Sequence, residues 1–406
     1  MKRSLFLTIF FIINGSVYSQ QRADTIASNI AQLMQMGDEA RSNFDFSKAL
    51  GHYNSVLKLD SMNSRAKELA SDMYSSLGEH GVSVRLLRNI YKDDTTNTRV
   101  ISKLALSLQA QQQTREAANL YKLLISMKSS NFNTVKSLAD CYWTLGKMDS
   151  AEVYYKVADF IYGKSLVTKL YLSQIAYINK DFSSAKIYAS RGVELDSSYV
   201  PLRKQLGLTH YRLDEYKQAL THFNYLAEQG DSTSSTLKML GACNFFLGEF
   251  DKAVPLLRKT LVTDSTDTEA LFYLGSSLSH KGEAKEAVEI FNSILSILQP
   301  DPSLLHKLHN QLGIAYSALE QNQTALESFS LAYKYNPSDS KLLFQMAMVR
   351  GGLKDKGNLT EAKKLLERYL SAIEPKGHAL SAEEVILRER AKMYIERINE
   401  DLFMNE

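Results

Sequence analysis

Residues 200–233 read VPLRKQLGLTHYRLDEYKQALTHFNYLAEQGDST, and the outline of this 34-residue stretch recurs along most of the chain. Its clearest recurring feature is a small residue, Ala219. Equivalent alanines follow one another at intervals of 34 residues, at Ala117, Ala151, Ala185, Ala219, Ala253 and Ala287. The series continues upstream through Ser83 and Ala49, and downstream through Ala325 and Ala362 after spacings of 38 and 37. A period of about 20 to 50 residues is typical of stacked repeat arrays.

We number each repeat from place 1 to place 34 and call the small residues at place 20 the alanine ladder. Two further columns keep the same spacing. Place 8 is small, as in Gly37, Ser71, Ala105, Ala139, Ser173, Gly207, Gly241 and Gly275. Place 24 is usually large, as in Tyr53, Leu87, Tyr121, Tyr155, Phe223, Leu257 and Phe291, with Ala189 as the exception. Small residues at places 8 and 20 predict two closely packed helices, and Gly146, Gly248 and Gly282 near place 15 predict the turn between them.

This pattern resembles the tetratricopeptide repeat family. The resemblance rests on the pairs Leu206-Gly207, Leu240-Gly241, Leu274-Gly275 and Leu312-Gly313, on the alanine ladder, on Tyr74, Tyr142 and Tyr316 at place 11, and on Pro337. It implies an all-α fold, a right-handed superhelical α-solenoid of about ten helix hairpins over residues 30–375. The repeats are expected to start near residues 30, 64, 98, 132, 166, 200, 234, 268, 306 and 340, after a lead over residues 20–29.

The regular spacing lapses towards the end of the chain. Four extra residues fall within 298–306, and about three more fall in an expected turn over Gly351–Asn358. A separate last helix is expected over residues 381–404, because Ser381 and Glu384 form a capping-box pattern. Its face of Ala391, Tyr394, Ile398 and Leu402 predicts a helix that caps the solenoid. A docking helix for a partner is the alternative.

The first residues have the pattern of a secretory signal peptide over residues 1–19. Lys2 and Arg3 precede an apolar run from Leu5 to Ile13, and Val17 and Ser19 suit a cleavage site. The run is shorter than the roughly 20 residues that span a bilayer, and no lipobox cysteine follows it. We therefore expect an exported protein of the periplasm or cell envelope, with no transmembrane segment in the mature chain. The net charge of +3 indicates no nucleic-acid partner.

Catalytic and metal-binding patterns are not found, so the sequence predicts a protein that is not an enzyme and needs no cofactor or metal. His306 and His309 could share one helical face, but without a third ligand we interpret His309 as packing and His306 as surface. The two cysteines, Cys141 and Cys243, occupy the same place in repeats 102 residues apart. We expect both to be buried packing residues that are not joined by a disulfide.

Candidate binding residues lie in the first helices, because the resemblance implies that these helices line a concave groove that binds peptide segments. Place 12 is aromatic in four consecutive repeats, and neighbouring places add further rings and lysines. The candidates are Trp143, Tyr177, Tyr211, Phe245, Lys136, Lys204, Lys238, Tyr171, Phe246, Phe272 and Tyr273. Aromatic residues are enriched at interface hot spots, although ordinary packing between helices is the alternative. A lysine–asparagine clamp for a C-terminal carboxylate is not expected, since Asp140, Leu208 and Ala242 replace the asparagine.

The sequence thus predicts a non-catalytic scaffold of the bacterial envelope that binds a partner peptide or helix in its groove. A carbohydrate- or nutrient-binding envelope protein built on the same helices is the alternative. That alternative lacks the lipidated cysteine and the long insertions that such proteins carry.

Overall fold

The computed structural model describes Arg22 and residues 24–297, 302–374 and 380–404, and these residues form helices and turns with no strand. They divide into two compact units, residues 1–197 and 198–406. The expected signal peptide lies outside the described residues. No helix among the described residues is long and apolar enough to cross a membrane.

Unit 1 contains five helix hairpins. Its helices are α1 (residues 24–42), α2 (Phe46–Leu59), α3 (Ser64–Ser76), α4 (His80–Asp93), α5 (Thr98–Ala110), α6 (Thr114–Ser126), α7 (Phe132–Thr144), α8 (Met148–Ile161), α9 (Leu166–Ile178) and α10 (Phe182–Leu195). Helices α3, α5, α7 and α9 pack on the second helix of their own hairpin, and α2, α4, α6 and α8 pack on the first helix of the next one. Ala40 of α1 is buried with Ala49 and Tyr53 of α2.

Unit 2 contains five more hairpins and a last helix. Its helices are α11 (Val200–Arg212), α12 (Tyr216–Glu228), α13 (Ser234–Phe246), α14 (Phe250–Thr263), α15 (Thr268–His280), α16 (Ala284–Ile297), α17 (Pro302–Ala318), α18 (Asn322–Tyr335), α19 (Lys341–Gly352), α20 (Lys356–Ile373) and α21 (Ala382–Met404). In this unit α13 also contacts α15, and α15 contacts α17, so neighbouring first helices touch one another.

The first helices begin at residues 64, 98, 132, 166, 200, 234 and 268, the numbers that the 34-residue spacing gives. In the ninth and tenth repeats, which have extra residues, one helix of the hairpin is longer than in the regular repeats. Helix α17 begins at Pro302 and has 17 residues where α15 has 13. Helix α20 has 18 residues where α18 has 14, so the expected turn over Gly351–Asn358 is wrong. Most of that segment is helical, and only residues 353–355 separate α19 from α20.

The alanine ladder is buried along both units, and all ten of its members are inaccessible to solvent. In the repeats that have glycine at place 8, the ring or branched chain at place 24 of the same hairpin leaves no room for a Cβ atom there. A Cβ atom on Gly241 would lie 2.6 Å from Cγ of Leu257, and one on Gly275 would lie 2.8 Å from Cε1 of Phe291. The two columns therefore set the close approach of the two helices, as the sequence pattern predicts.

The fifth repeat reaches the same close packing with different residues. Ser173 stands at place 8, and its hydroxyl donates a hydrogen bond of 2.8 Å to the carbonyl oxygen of Ala185 in the ladder. A buried hydroxyl needs such a partner. The opposing residue at place 24 is Ala189 rather than a ring, which leaves room for the serine side chain. In this repeat the small residue at place 24 therefore accompanies a hydrogen-bonded serine at place 8.

The turn inside every hairpin places one residue in the left-handed region of the backbone. The glycines at place 15 have positive φ, including Gly146 at 70° and Gly248 at 76°. Non-glycine residues take the same conformation in the other repeats: Phe44, Gln112, Lys180, Asp214, Glu320 and Lys354. Because a left-handed backbone is unfavourable for residues with a Cβ atom, packing of the two helices imposes this turn even where glycine is missing.

Helix α21 covers the end of unit 2. Ala391 and Ile398 are buried against α19 and α20, and Leu402 packs beside them. The capping box is present, because the Ser381 amide donates to a carboxylate oxygen of Glu384 at 2.9 Å and the Glu384 amide donates to Oγ of Ser381 at 3.2 Å. Tyr394 differs from the expected apolar face, since it is 40% exposed.

Candidate functional site

The candidates in unit 1 form a packed cluster around Tyr155. The Trp143 ring meets the Tyr171 ring edge-on with centroids 5.0 Å apart, and Tyr171 stacks on Tyr155 at 5.0 Å. The Tyr155 hydroxyl donates to Oδ1 of Asp140 at 2.7 Å, and Nζ of Lys136 lies 2.7 Å from Oδ2 of the same carboxylate. Burial, reinforced by that carboxylate, raises the pKa of Tyr155. The charge of Lys136 is therefore compensated within its own helix.

Tyr177 also contacts its own hairpin. Its ring meets Phe182, the first residue of α10, edge-on at 5.3 Å. Unit 1 thus contains three aromatic candidates, Trp143 and Tyr177 at place 12 and Tyr171 at place 6. Of these, Trp143 and Tyr171 are in direct contact. The contacts in this unit match the packing alternative at least as well as an open binding surface.

In unit 2 the first helices α11, α13 and α15 hold the remaining aromatic candidates. The hydroxyls of Tyr211 on α11 and Tyr273 on α15 are 2.6 Å apart and share a hydrogen bond. This bond joins repeats that are two apart, across the face of α13, where Phe245 and Phe246 contact Tyr273 with centroids 5.4 and 5.6 Å away. Burial raises the pKa of both tyrosines. Tyr273 raises the pKa of Tyr211 further, whereas the hydrogen bond with Tyr211 partly offsets the rise in the pKa of Tyr273.

A regular pattern of stacked rings joins consecutive hairpins of unit 2. Tyr216 at the start of α12 stacks on Phe246 at the end of α13, with centroids 4.3 Å apart and planes 5° apart. Phe250 at the start of α14 stacks in the same way on His280 at the end of α15, at 4.6 Å and 5°. We call these rings, together with Tyr211, Phe245 and Tyr273, the aromatic network of unit 2. Offset stacking of this kind adds stability beyond the area that is buried.

The network is only partly covered. Tyr211 is buried, whereas Phe246 is 43% exposed although it contacts four other rings. His280 is exposed, and Phe245, Tyr273, Tyr216 and Phe250 are half-buried. Phe272 lies beside the network, between Tyr273 and the buried ring of Phe291. The most accessible large ring of the candidates in this unit is therefore Phe246.

The lysine candidates of unit 2 also have acidic neighbours. Nζ of Lys238 lies 3.0 Å from Oδ2 of Asp267 and 3.0 Å from Oε2 of Glu269. Burial of Lys238 lowers its pKa, but the hydrogen bonds to the two carboxylates outweigh that effect and raise it overall. The pKa of Asp231 is lowered mainly by hydrogen bonds from Thr233. The positive charge of Lys204 lowers it to a smaller degree. Lys238 thus joins its repeat to Glu269 of the next one and is compensated by its acidic neighbours, whereas Asp231 belongs to the same repeat as Lys204.

The sequence interpretation missed the ring column at place 17. Phe182, Tyr216 and Phe250 are the first residues of three consecutive second helices and are 34 residues apart. Each contacts the place-12 ring of its own hairpin, Tyr177, Tyr211 or Phe245. The spacing was visible in the sequence, but a residue at the start of a second helix was not expected to reach the end of the first.

The other chemically active side chains are explained by packing. The prediction that His306 lies on the surface is wrong, because its side chain is only 12% exposed. Its Nδ1 lies 3.0 Å from the Ala332 carbonyl oxygen, and its Nε2 lies 3.2 Å from Oδ2 of Asp339. His309 stacks on Tyr335, and burial lowers its pKa. Within the described ranges no three His, Cys, Asp or Glu side chains are grouped to hold a metal ion. Both cysteines are buried as free thiols.

Comparison with protein families gives matches for three segments. Tetratricopeptide repeat models match residues 102–165 and residues 306–339. A model of the coatomer epsilon subunit matches residues 211–313. The tetratricopeptide resemblance is therefore supported independently in both units.

Curated relatives are distant. TPR repeat-containing protein YpiA of Bacillus subtilis strain 168 is 25% identical over 357 residues, which cover 84% of this chain and 78% of the relative. BBSome complex member BBS4 of Bos taurus is 26% identical over 34% of this chain and 26% of its own length. Protein O-mannosyl-transferase TMTC1 of Homo sapiens is 24% identical over 43% of this chain and 18% of its own length. The chain thus spans about a quarter or less of the last two proteins.

Solved structures that match this chain also have low sequence identity to it. The Cut9 and Hcn1 hetero-tetramer of APC/C has a TM-score of 0.48 and 13% identity, with 91% of this chain and 98% of that chain covered. Yeast Tom70 has a TM-score of 0.38 and 12% identity, with 92% of this chain and 96% of that chain covered.

Proposed function

We propose that this protein is an exported, non-catalytic scaffold of the bacterial cell envelope, and that the aromatic network of unit 2 binds a segment of a partner protein. The observation that carries the proposal is Phe246, a phenyl ring that is 43% exposed although it contacts four other rings of the network, all of which are buried or half-buried. Exposed rings of this size are common anchors at protein interfaces. Export is proposed from the charged and apolar pattern of residues 1–19.

The network suits binding because its rings are already fixed. Phe246 is held by stacking on Tyr216 and by edge contacts with Tyr211 and Tyr273, and those two tyrosines are joined by their hydroxyls. A partner that packs on Phe246 would therefore have to order few side chains of this protein. Pre-organisation of that kind favours affinity, because less conformational freedom is lost on binding.

The charges indicate which kind of segment the site prefers. Lys238 is engaged by two carboxylates, so it offers no free cation beside the network. The rings themselves present apolar faces and the edges of phenol groups. We therefore propose that apolar or aromatic side chains of the partner, rather than a run of acidic residues, make the main contacts.

A photo-crosslinking amino acid at position 246, introduced into the full chain in living cells, tests the proposal. The expected product is a covalent adduct with one protein, identified by mass spectrometry. Position 262 is the matched control, since Val262 is also in unit 2 and is 87% exposed but lies near the end of α14, twelve residues after the network ring Phe250. Equal labelling from both positions, or no adduct from position 246, would count against the site.

Two further measurements separate the proposal from its alternatives. The purified chain is expected to bind no sugar on a glycan array, and specific binding that requires Phe246 would favour carbohydrate recognition instead. Fractionation of the cells is expected to find the chain in the periplasm or envelope with its first residues removed. A full-length chain in the cytoplasm would contradict the export part of the proposal and leave the binding part to be judged by the crosslinks.

A further inference from the structure

Helix α8 of unit 1 exposes an apolar stripe to solvent. Val153, Val157 and Phe160 follow one another at intervals of four and three residues, so they lie on one face of the helix. Their exposed fractions are 58%, 42% and 92%. Ile161 and Tyr162 continue the exposed apolar surface at the end of the helix. The opposite face, with Ala151, Tyr155 and Ala158, is the one that packs inside the unit.

The stripe is particular to this repeat. Phe160 stands at place 29, where most of the other regular repeats have polar residues: Lys58, Lys92, Ser126, Glu194, Glu228 and Ser296. Packing of the repeats therefore does not require an apolar residue there. A contiguous apolar stripe on the solvent side of a helix is typical of an interaction surface.

We propose that α8 pairs antiparallel with α8 of a second copy of this chain, about a two-fold axis. The charges at the two ends of the stripe favour this occupant. Asp149 lies on α8 four residues before Val153, and Lys164 lies in the turn three residues after the helix ends at Ile161; both side chains are exposed. In an antiparallel pair Asp149 of each copy comes opposite Lys164 of the other, which gives two complementary contacts. A parallel pair would bring like charges together.

The apolar residues match in the same register. With the axis between Lys156 and Val157, Val153 of one copy faces Phe160 of the other, and this contact occurs twice. Lys156 is tied to Glu152 by an ion pair of 2.6 Å on its own helix, so its stem can lie along Val157 without an unpaired charge in the contact. A self-complementary patch of this kind is what a two-fold interface requires.

A membrane surface fits the stripe less well. Interfacial helices carry basic residues along their polar flanks, where they meet anionic lipids. The charges beside this stripe are mixed instead: Asp149 and Glu152 are acidic, Lys156 and Lys164 are basic, and Glu152 is paired with Lys156. A stripe without a continuous basic flank gains little attraction to anionic lipids.

Sedimentation of the purified full chain over a range of concentrations tests the pairing. The wild type is expected to reach twice its own chain mass, and Phe160→Asp is expected to weaken dimerisation by at least about tenfold, because an unpaired carboxylate would enter the contact. Val262→Asp changes the same place of the seventh repeat and is expected to dimerise like the wild type. Helical circular dichroism shows that each variant is folded.

The charge pairs provide a test that does not depend on disrupting the apolar contact. Asp149→Lys and Lys164→Asp are each expected to weaken self-association, because each one places like charges opposite each other at both ends. Mixed in equal amounts, the two variants are expected to form a heterodimer, since both ends are then complementary. The double variant is expected to dimerise again by itself.

Three results would overturn the proposal. A wild type that is monomeric at every concentration, a Phe160→Asp variant that dimerises as tightly as the wild type, or single charge variants that do not restore association when mixed would each contradict antiparallel pairing through α8. Binding of the monomer to anionic vesicles, lost in Phe160→Asp, would assign the stripe to a lipid surface instead.

Discussion

Individual residues at place 15 show how strongly the hairpin dictates the backbone. Ten repeats place one residue each in the left-handed region, and only four of the ten are glycines, Gly78, Gly146, Gly248 and Gly282. Glycine adopts this region readily, whereas residues with a Cβ atom are disfavoured there by about 1 kcal/mol or more. The strain at the other six positions is therefore tolerated because two packed helices depend on the turn.

Replacing a strained turn residue with glycine is expected to stabilise unit 1. Gln112 has a φ of 60° and an exposed side chain, so Gln112→Gly should raise the free energy of unfolding by about 0.5–1 kcal/mol. Gly146→Ala at the same place should lower it by a similar amount. Urea denaturation followed by circular dichroism measures both. A decrease for Gln112→Gly would show that its turn is not strained.

Helix hairpins owe their close packing to the pairing of place 8 with place 24. A Cβ atom at Gly275 would meet Cε1 of Phe291 at 2.8 Å, whereas a Cβ atom at Gly51 in α2 would meet nothing within 4 Å. The same substitution therefore has opposite effects at the two positions. At Gly275 it creates a steric clash inside a hairpin, and at Gly51 it only improves the helix propensity.

Gly275→Ala is expected to destabilise unit 2 by about 1–3 kcal/mol, the usual cost of overpacking a filled core. Gly51→Ala is expected to stabilise unit 1 by up to about 1 kcal/mol. Thermal unfolding of the two variants beside the wild type checks the prediction. A Gly275→Ala variant as stable as the wild type would mean that the Phe291 ring can move aside.

The hairpin of α11 and α12 contains two stacked histidines, and the pKa of one of them, His222, is lowered. The rings of His210 and His222 are stacked with centroids 5.4 Å apart, and Nδ1 of His222 is buried without a hydrogen-bond partner. Burial lowers the pKa of His222 to about 4, and the neighbouring His210 and Arg203 contribute. The unfolded chain therefore binds a proton at this residue more readily than the folded one.

Stability is accordingly expected to fall as the pH falls from about 6.5 towards 4, and this loss should be smaller in His222→Phe. The folded pKa lies below the unfolded pKa, so the histidine has no effect above pH 7 and destabilises the fold at lower pH. Between pH 7.5 and pH 5 the difference should be about 2 kcal/mol. Urea denaturation of both proteins across this range measures it. Parallel pH profiles would contradict the lowered pKa.

The repeat register was predictable from the sequence because each hairpin repeats the same local packing. Ala219, Gly207 and Phe223 meet within one hairpin, so their spacing alone indicates their contact. The stacking of Tyr216 on Phe246 was not predictable, since it depends on how one hairpin is rotated against the next. The burial of His306 was missed for a different reason, since its partners lie in its own hairpin but far along the chain, Ala332 near the end of α18 and Asp339 in the turn after it.

At the scale of the whole molecule the chain consists of two units, each with one cysteine. Cys141 lies in unit 1 and Cys243 in unit 2, and both are buried. Burial raises the pKa of each thiol to about 12, with Asp140 contributing at Cys141. The thiolate is the reactive form, so both cysteines should be inert in the folded protein.

Each thiol can therefore report the opening of its own unit. In Cys243→Ala the remaining thiol should react slowly with a disulfide reagent at pH 8 and at the rate of a free cysteine once unit 1 is unfolded. Cys141→Ala gives the same information for unit 2. Rapid labelling of either native variant would show that the helix carrying the cysteine opens readily.

The binding face of unit 2 is tested most directly by the affinity of the chain for the partner segment that is crosslinked at position 246. Calorimetric titration of the full-length wild type, Phe246→Ala and Val262→Ala with that segment gives the comparison. Phe246→Ala should bind at least about tenfold more weakly, the usual loss at an interface hot spot, while its circular dichroism spectrum at the titration temperature shows that it is folded. Val262→Ala should bind like the wild type. Equal affinity of all three proteins would contradict a binding site at the aromatic network.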